Sequence, residues 1–357
     1  MSTQKPTPET VLDALRPIVD PDLGRDIVSL GFVKDVKIEG GAVSLTIELT
    51  TPACPVKAEF QREAEQRVGA LPGVTAVKVA MTSNVLSSPV SSSEGILPGV
   101  HHVVAVASGK GGVGKSTVAV NLAVSLARTG ARVGLMDADV YGPSIPIMMG
   151  MKTVRPTVQD NQLVPVERYG IRMMSIGFIA GEEDAIIWRG PMVTKMVRQF
   201  LSDVAWGELD YLLIDLPPGT GDAQLTLAQA APLAGAVIVT TPQDVALEDV
   251  RRGVRMFEKV NVPVLGIVEN MSYFVCGSCG ARHEIFHHGG GAEAARRYEV
   301  PFLGEIPLDP AIREGGDSGV PVVIAEAGHP QAKAFETVAG NLARELSRLA
   351  YPEGVSG

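Results

Sequence analysis

The stretch SGKGGVGKST, Ser108 to Thr117, sets four glycines and two lysines ahead of a pair of hydroxyls. Glycines at Gly109, Gly111, Gly112 and Gly114, with Val113 among them, let successive backbone N–H groups close around phosphate oxygens. A helix that follows adds its positive end. Lys115 is placed to neutralise β- and γ-phosphates, Ser116 to offer a hydroxyl to Mg²⁺, and Thr117 to reach an α-phosphate. The stretch lies between an apolar strand, HHVVAVAS, and a helix, STVAVNLAVSLARTG, which is the context a P-loop requires. The chemistry implied is binding of a nucleoside triphosphate and phosphoryl transfer to water. Lys110, inside the loop, is a second cation that helps only if it points at phosphates.

Three carboxylates follow in an order that suits such a site. Asp137 and Asp139 stand in LMDADVYGPS at the end of the next apolar strand, and Asp215 ends YLLID, followed by PPGTGD. Open α/β sheets place ligand groups at the carboxyl ends of their strands. A lone strand-end aspartate also serves as a simple cap; here the sequence P-loop, DAD, IDLPPGTGD favours the nucleotide reading.

The second chemical centre is FVCGSCGARHEIFHHGGG, Phe274 to Gly291, which holds two of the three cysteines and three of the six histidines. Cys276 and Cys279 form C-x-x-C, two thiols able to face one metal, which is half of a tetrahedral site. Three readings stay open: a dithiol redox pair, a zinc site completed by His283, His287 or His288, and a cluster held by two cysteines from each of two chains. Cys54, in TTPACPVKAEF, lies between a strand and a helix starting near Pro55. A helix N-terminus there favours thiolate, making Cys54 a candidate transient ligand, against the alternative of a small buried apolar side chain.

These groups need scaffolds. The chain has 357 residues, 45% hydrophobic and 20% charged, with a formal charge of −9. That is ordinary globular composition, and the acidic balance argues against sequence-independent nucleic-acid binding. No run reaches the roughly 18 apolar residues of a membrane span, and MSTQKPTPET lacks a signal-peptide core, so a cytoplasmic protein with no stable membrane association is expected. Residues 1–83 read as a small α/β domain: a helix over Thr10 to Val19, a hairpin turning at Gly40-Gly41, a helix in PVKAEFQREAEQRVGAL, and a strand in VTAVKVAM. Residues 84–99, rich in Ser, Pro and Gly, read as a flexible linker. From residue 100 to 357, short β-branched runs such as YLLIDLP, AVIVTTP and VPVLGIVEN alternate with helices. The inference is a doubly wound, mostly parallel sheet. The C-terminal stripe Val338, Leu342, Leu346 and Leu349 reads as a core-packing helix rather than a basic membrane-binding tail.

The form KGGxGKS resembles the deviant P-loop family that includes nitrogenase iron protein and the MinD and ParA positioning ATPases. In that family the extra lysine, here Lys110, crosses to the nucleotide of a partner subunit, which implies an ATP-sandwiched homodimer. The resemblance makes Asp139 the residue that orients the attacking water, Asp137 a support for Mg²⁺, Asp215 the Walker B aspartate holding Mg²⁺ through water, and Asn270, in VENMS, the reader of adenine. SGKGGVGKST, DADVYGPS, IDLPPGTGD, ENMS and CGSCG-x-x-H-x-x-F-x-x-GGG together resemble the Mrp/ApbC (Nbp35-like) iron–sulfur cluster carriers. VDPDLGRDIVSLGFV and TTPACPVKAEF resemble the MIP18-type domain that precedes the ATPase in many bacterial members. The resemblance implies an ATPase that bridges a [4Fe–4S] cluster between the cysteine pairs of two protomers and passes it from a scaffold to recipient apoproteins. A MinD/ParA-like positioning ATPase and a zinc-binding metallochaperone are the alternatives.

Overall fold

The structure, a computed structural model, describes residues 5–87, 95–179, 190–325 and 327–351. Residues 88–94 of the expected linker lie outside the described residues. The chain divides into two compact units, Met1–Leu86 with Ala343–Gly357, and Ser87–Leu342. The end of the chain thus groups with the first unit, where the sequence pattern extends the second to residue 357. Two contacts inside that unit account for it: Arg344 Nε lies 2.6 Å from Asp22 Oδ1, and the Tyr351 ring meets Phe32 edge-on.

The first unit runs α1 (Pro8–Leu15), β1 (Val33–Glu39), β2 (Ala42–Leu49), α2 (Lys57–Gly69) and β3 (Ala76–Ser83). Strand β2 is central, antiparallel to β1 and parallel to β3. Its alternate residues Val43, Leu45, Ile47 and Leu49 are buried against Val11 and Leu15 of α1 and Phe60, Ala64 and Val68 of α2. The period of two on the strand meets the helical spacing on α1 and α2. Helix α1 starts earlier than the expected Thr10, because Thr7 and Thr10 close a capping box around Pro8, and it stops before Pro17.

The second unit contains β4 (Val100–Ala107), α3 (Lys115–Arg128), β5 (Val133–Asp137), α4 (Ile145–Met148), a small hairpin β6 (Thr157–Gln159) and β7 (Gln162–Val164), then β8 (Val166–Arg168), β9 (Ile171–Ser175) and α5 (Gly190–Ser202). It continues with β10 (Leu209–Asp215), α6 (Asp222–Ala230), β11 (Gly235–Thr240), α7 (Asp244–Lys259), β12 (Val264–Glu269), a hairpin β13 (Phe274–Val275) and β14 (Arg282–His283), α8 (Gly290–Arg297), β15 (Phe302–Glu305), α9 (Pro310–Ser318), α10 (Val322–Ala325) and α11 (Pro330–Ala350), whose residues from Ala343 on group with the first unit. Eight strands form one sheet in the order β15-β12-β11-β4-β10-β5-β9-β8, parallel throughout except for the β8–β9 pair.

Central strands are buried along their whole length, which is why they read as continuous apolar runs. Val193 and Phe200 of α5, Leu227 of α6, Val254 and Phe257 of α7, and Ala294 of α8 share one cluster with the sheet. Connections leaving β4 and β10 run in opposite directions along the sheet, toward β5 and β11 respectively. Right-handed crossovers then set their helices on opposite faces, and a crevice opens at the carboxyl ends of β4 and β10. Along α11, Val338, Leu342 and Leu346 are buried and Leu349 is exposed. No helix among the described residues is long and apolar enough to cross a membrane.

Candidate nucleotide and thiol sites

The loop between β4 and α3 lies at that crevice. Gly114 precedes α3 with φ +80°, a left-handed conformation that suits glycine, and no side chain caps the helix. A Cβ there would stand 2.3 Å from Asn270 Nδ2, so the position also needs glycine for close approach. The first N–H groups of α3 therefore lack a side-chain partner, the arrangement that receives an anion. Ser108 Oγ donates to Lys110 O at 2.9 Å, and Gly219 N of the PPGTGD loop donates to Ser108 O at 2.9 Å. The P-loop and the glycine-rich segment after Asp215 are thereby tied together. Lys110 is half-buried and pairs with no acidic side chain among the described residues.

Lys115 is buried and donates to Asp215 Oδ1 at 2.6 Å and to Ser116 Oγ at 3.2 Å. Asp215 stands in register opposite Asp137 across the parallel β10–β5 pair. Asp137 accepts from Ser175 Oγ at 3.0 Å, Ile145 N at 3.3 Å and Asp139 N at 3.1 Å. Both carboxyls are fully buried. Burial, reinforced by the Asp215 charge and opposed by Lys115, pushes Asp137 up to about 8. Asp215 is likewise raised by burial, with the Lys115 ammonium pulling it back. Asp215 Oδ2 is buried with no hydrogen-bond partner. That orphaned oxygen, the Ser116 hydroxyl and Asp137 make an all-oxygen, anionic donor set, which fits Mg²⁺.

A cavity of about 440 Å³ opens beside the loop, walled by Gly114, Thr117, Asn270, Met271, Leu308 and Arg313 among others. Asn270 Nδ2 donates to Val113 O at 2.8 Å, joining the end of β12 to the P-loop. Asp139 lies beyond Asp137 and accepts from Tyr141 N at 3.3 Å.

Cys276 and Cys279 occupy the tip of the β13–β14 hairpin, closed by Cys276 N to Ala281 O at 2.9 Å and Gly280 N to Cys276 O at 2.8 Å. Both are free thiols, Cys276 half-buried and Cys279 exposed. The Cys279 and Ser278 backbone N–H groups turn toward Cys276 and hold its thiol below the ordinary range. Amides aimed at a sulfur are what a metal-bound thiolate uses.

Residues 99–343 match the ParA family, described as NUBPL iron-transfer P-loop NTPases, and residues 8–79 match the iron–sulfur cluster assembly protein family. The chain belongs to the iron-transfer P-loop NTPase family. An iron–sulfur cluster carrier protein of Synechocystis is 49% identical over 96% of this chain and 99% of its own length. One from Deinococcus radiodurans is 48% identical over 95% of both. Among solved structures, an Archaeoglobus fulgidus nucleotide-binding protein in complex with ADP is 46% identical, with TM-score 0.58 over 66% of this chain and 92% of its own. The cell-division ATPase MinD of Pyrococcus furiosus matches at 25% identity and TM-score 0.53, covering 67% of this chain and 97% of its own.

Within this iron-transfer NTPase, the P-loop, Asp137, Asp139, Asp215 and Asn270 come together at one end of one sheet. The histidines do not join the cysteines: among the described residues no three His, Cys, Asp or Glu side chains converge as a metal site. His288 is held instead by Glu305, Nε2 to Oε1 2.9 Å. Cys54 departs from its expected thiolate character. Helix α2 begins only at Lys57, and burial together with the Asp20 and Asp22 charges pushes the thiol up to about 11. Two residues go unremarked in the motifs. Ser175 orients Asp137 and carries no sequence signal. Glu269, fully buried at the end of β12, had one: a charged residue inside the apolar run VPVLGIVEN.

Proposed function

We propose that this chain is an ATP-hydrolysing carrier that holds a labile [4Fe–4S] cluster between two copies of itself, receives it from a scaffold and delivers it to apoproteins in the cytoplasm. The observation that carries the reading is the exposed hairpin tip, where two thiols, one acidified, stand with no third ligand nearby among the described residues. Half a ligand set on a symmetric dimer becomes a whole one. The names of the Synechocystis and Deinococcus relatives, and the ADP of the Archaeoglobus protein, point the same way.

In this reading ATP lies along the start of α3, with its base in the cavity beside Asn270. Lys115 exchanges Asp215 for the β- and γ-phosphates. Ser116 and the carboxyls of Asp215 and Asp137 would hold Mg²⁺, which would supply charge neutralisation on the phosphates. Asp139 orients the attacking water, and Lys110 reaches the nucleotide of the partner subunit, so that closure of the dimer and hydrolysis are linked. The first domain, 1–83, and the NTPase domain from residue 100 act as separate modules, with Cys54 held as a protonated thiol until a partner or metal withdraws its proton.

Anaerobic reconstitution tests the assignment. The wild-type dimer is expected to hold four irons and four sulfides, and Cys276→Ala or Cys279→Ala to hold none. Retention of the full complement by either variant, or stoichiometric zinc in colourless protein purified without oxygen, overturns it.

A further inference from the structure

Glu269 is the last residue of β12, with none of its surface exposed. Its carboxylate accepts three hydrogen bonds, from Ser272 Oγ at 2.6 Å, Gly289 N at 3.0 Å, and Gly291 N. Ser272 and Gly289 flank the excursion that carries Cys276 and Cys279. One carboxylate therefore closes both roots of the cysteine-bearing segment. The next residue, Asn270, spends its side chain elsewhere, donating to Val113 O of the P-loop.

Neither connection has slack. A Cβ on Gly114 would collide with Asn270 Nδ2, and one on Gly291 would stand 2.9 Å from Glu269 Cβ and 3.0 Å from Oε2. A further strand of contact runs in parallel: Ile306 N donates to Glu269 O at 2.9 Å, Ser272 N to Ile306 O at 3.0 Å, and Leu308 N to Tyr273 O at 2.7 Å. Leu308 walls the cavity beside the P-loop, and Tyr273 immediately precedes β13. Close-packed groups of this kind pass on a displacement rather than absorb it.

We propose that Glu269 is a positioning residue through which the state of the nucleotide loop sets the placement of Cys276 and Cys279. A base entering the cavity has to share or displace the Asn270 bond to Val113. The adjustment at Asn270 is transmitted one residue back to Glu269, and from its carboxylate to both roots of the hairpin. This rests on the reading of the P-loop as the ATP site and of the two cysteines as cargo ligands.

The test is peptide-resolved alkylation of Cys276 and Cys279 by iodoacetamide in the full chain, with and without Mg²⁺ and a non-hydrolysable ATP analogue. In the wild type the analogue is expected to change the rates by about fivefold or more. In Glu269→Gln, which puts an amide N–H against backbone donors, the two states should agree within about twofold while nucleotide affinity by calorimetry moves by less than about threefold. Ser272→Ala removes one donor only and should give an intermediate ratio; it decides the matter if Glu269→Gln melts too early to assay.

A glutamate that merely holds the fold would raise alkylation in both states and leave their ratio intact, and that result overturns the proposal. So does a wild-type ratio of one. Iron and sulfide content after reconstitution is independent of the ratio, and separates loss of the coupling from loss of the carrier reading.

Discussion

Lys115 Nζ stands 2.6 Å from Asp215 Oδ1 in an ion pair with side-chain exposures of 6% and 0%. The P-loop lysine is thus committed to the carboxylate at the end of β10, itself opposite Asp137. Phosphates that recruit Lys115 leave two facing, buried carboxyls without their cation. A divalent metal arriving with the nucleotide would replace the lost charge, so nucleotide and metal are expected to bind interdependently.

Lys115→Met removes the ammonium and leaves the carboxyl pair buried. Breaking one side of a buried pair costs about 3–5 kcal/mol, so at pH 7 the variant without nucleotide should unfold at a clearly lower temperature than the wild type. Asp137, pushed up to about 8, already holds its proton at pH 7; Asp215 escapes the penalty by taking one up, so the deficit should shrink as pH falls toward 5. Thermal melts at both pH values check this; a deficit independent of pH would assign the loss to packing rather than charge.

Asp137 ties stability to pH. Its folded value lies at about 8 against an ordinary 3.8, so between those limits the folded state holds a proton that the unfolded chain has released. Its contribution to stability is complete below the ordinary value and is lost as pH rises through the folded one, at up to about 1.4 kcal/mol per pH unit for a single proton. Chemical denaturation without metal or nucleotide should show stability falling from about pH 5 to 8 in the wild type. Asp137→Asn, which keeps the shape and discards the charge, should flatten that slope.

The fold was legible where one physical cause dominates. Short continuous apolar runs such as LLID and AVIVT, bounded by turn residues, are of the kind buried in a parallel sheet, and a glycine-rich loop between strand and helix then falls at the sheet's carboxyl edge. The order of P-loop, Asp137, Asp215 and Asn270 then placed the nucleotide groups together. What stayed hidden depends on three-dimensional neighbours. Spacing offers His288 to a metal site, but Glu305 on β15, seventeen residues away, claims it. The Cys54 thiol looked activated by a helix start, yet burial outweighs the helix end. Arg344 pairs with Asp22 from the other end of the chain, which no local pattern announces.

The three thiols should differ in reactivity. Backbone N–H groups at the hairpin tip hold Cys276 below the ordinary thiol range, whereas burial pushes Cys54 up to about 11. The thiolate is the nucleophile, so at pH 7.5 Cys276 should alkylate more than about tenfold faster than Cys54. Peptide mass spectrometry of the metal-free protein reads both rates. Raising the pH toward 9 should accelerate Cys54 proportionately more, and similar rates at neutral pH would contradict the assigned environments.

Lys110 and Lys115 share one loop yet should fail in different ways. Lys115 is engaged within its own protomer, by Asp215 and Ser116. Lys110 has no acidic partner among the described residues, and in the ATP-sandwiched dimer proposed here it serves the opposite nucleotide. Lys115→Ala should therefore abolish nucleotide binding by the isolated chain. Lys110→Ala should lose ATP-dependent dimerisation, and with it at least about tenfold in hydrolysis, because a charge aimed at the transferring phosphate is missing. Sedimentation velocity with and without ATP, together with the dependence of hydrolysis on protein concentration, distinguishes the two lysines. Wild-type turnover should rise with concentration as dimers form, whereas that of Lys110→Ala should stay flat; if Lys110→Ala dimerises and turns over normally, the lysine belongs to its own protomer's surface and the sandwich geometry fails with it.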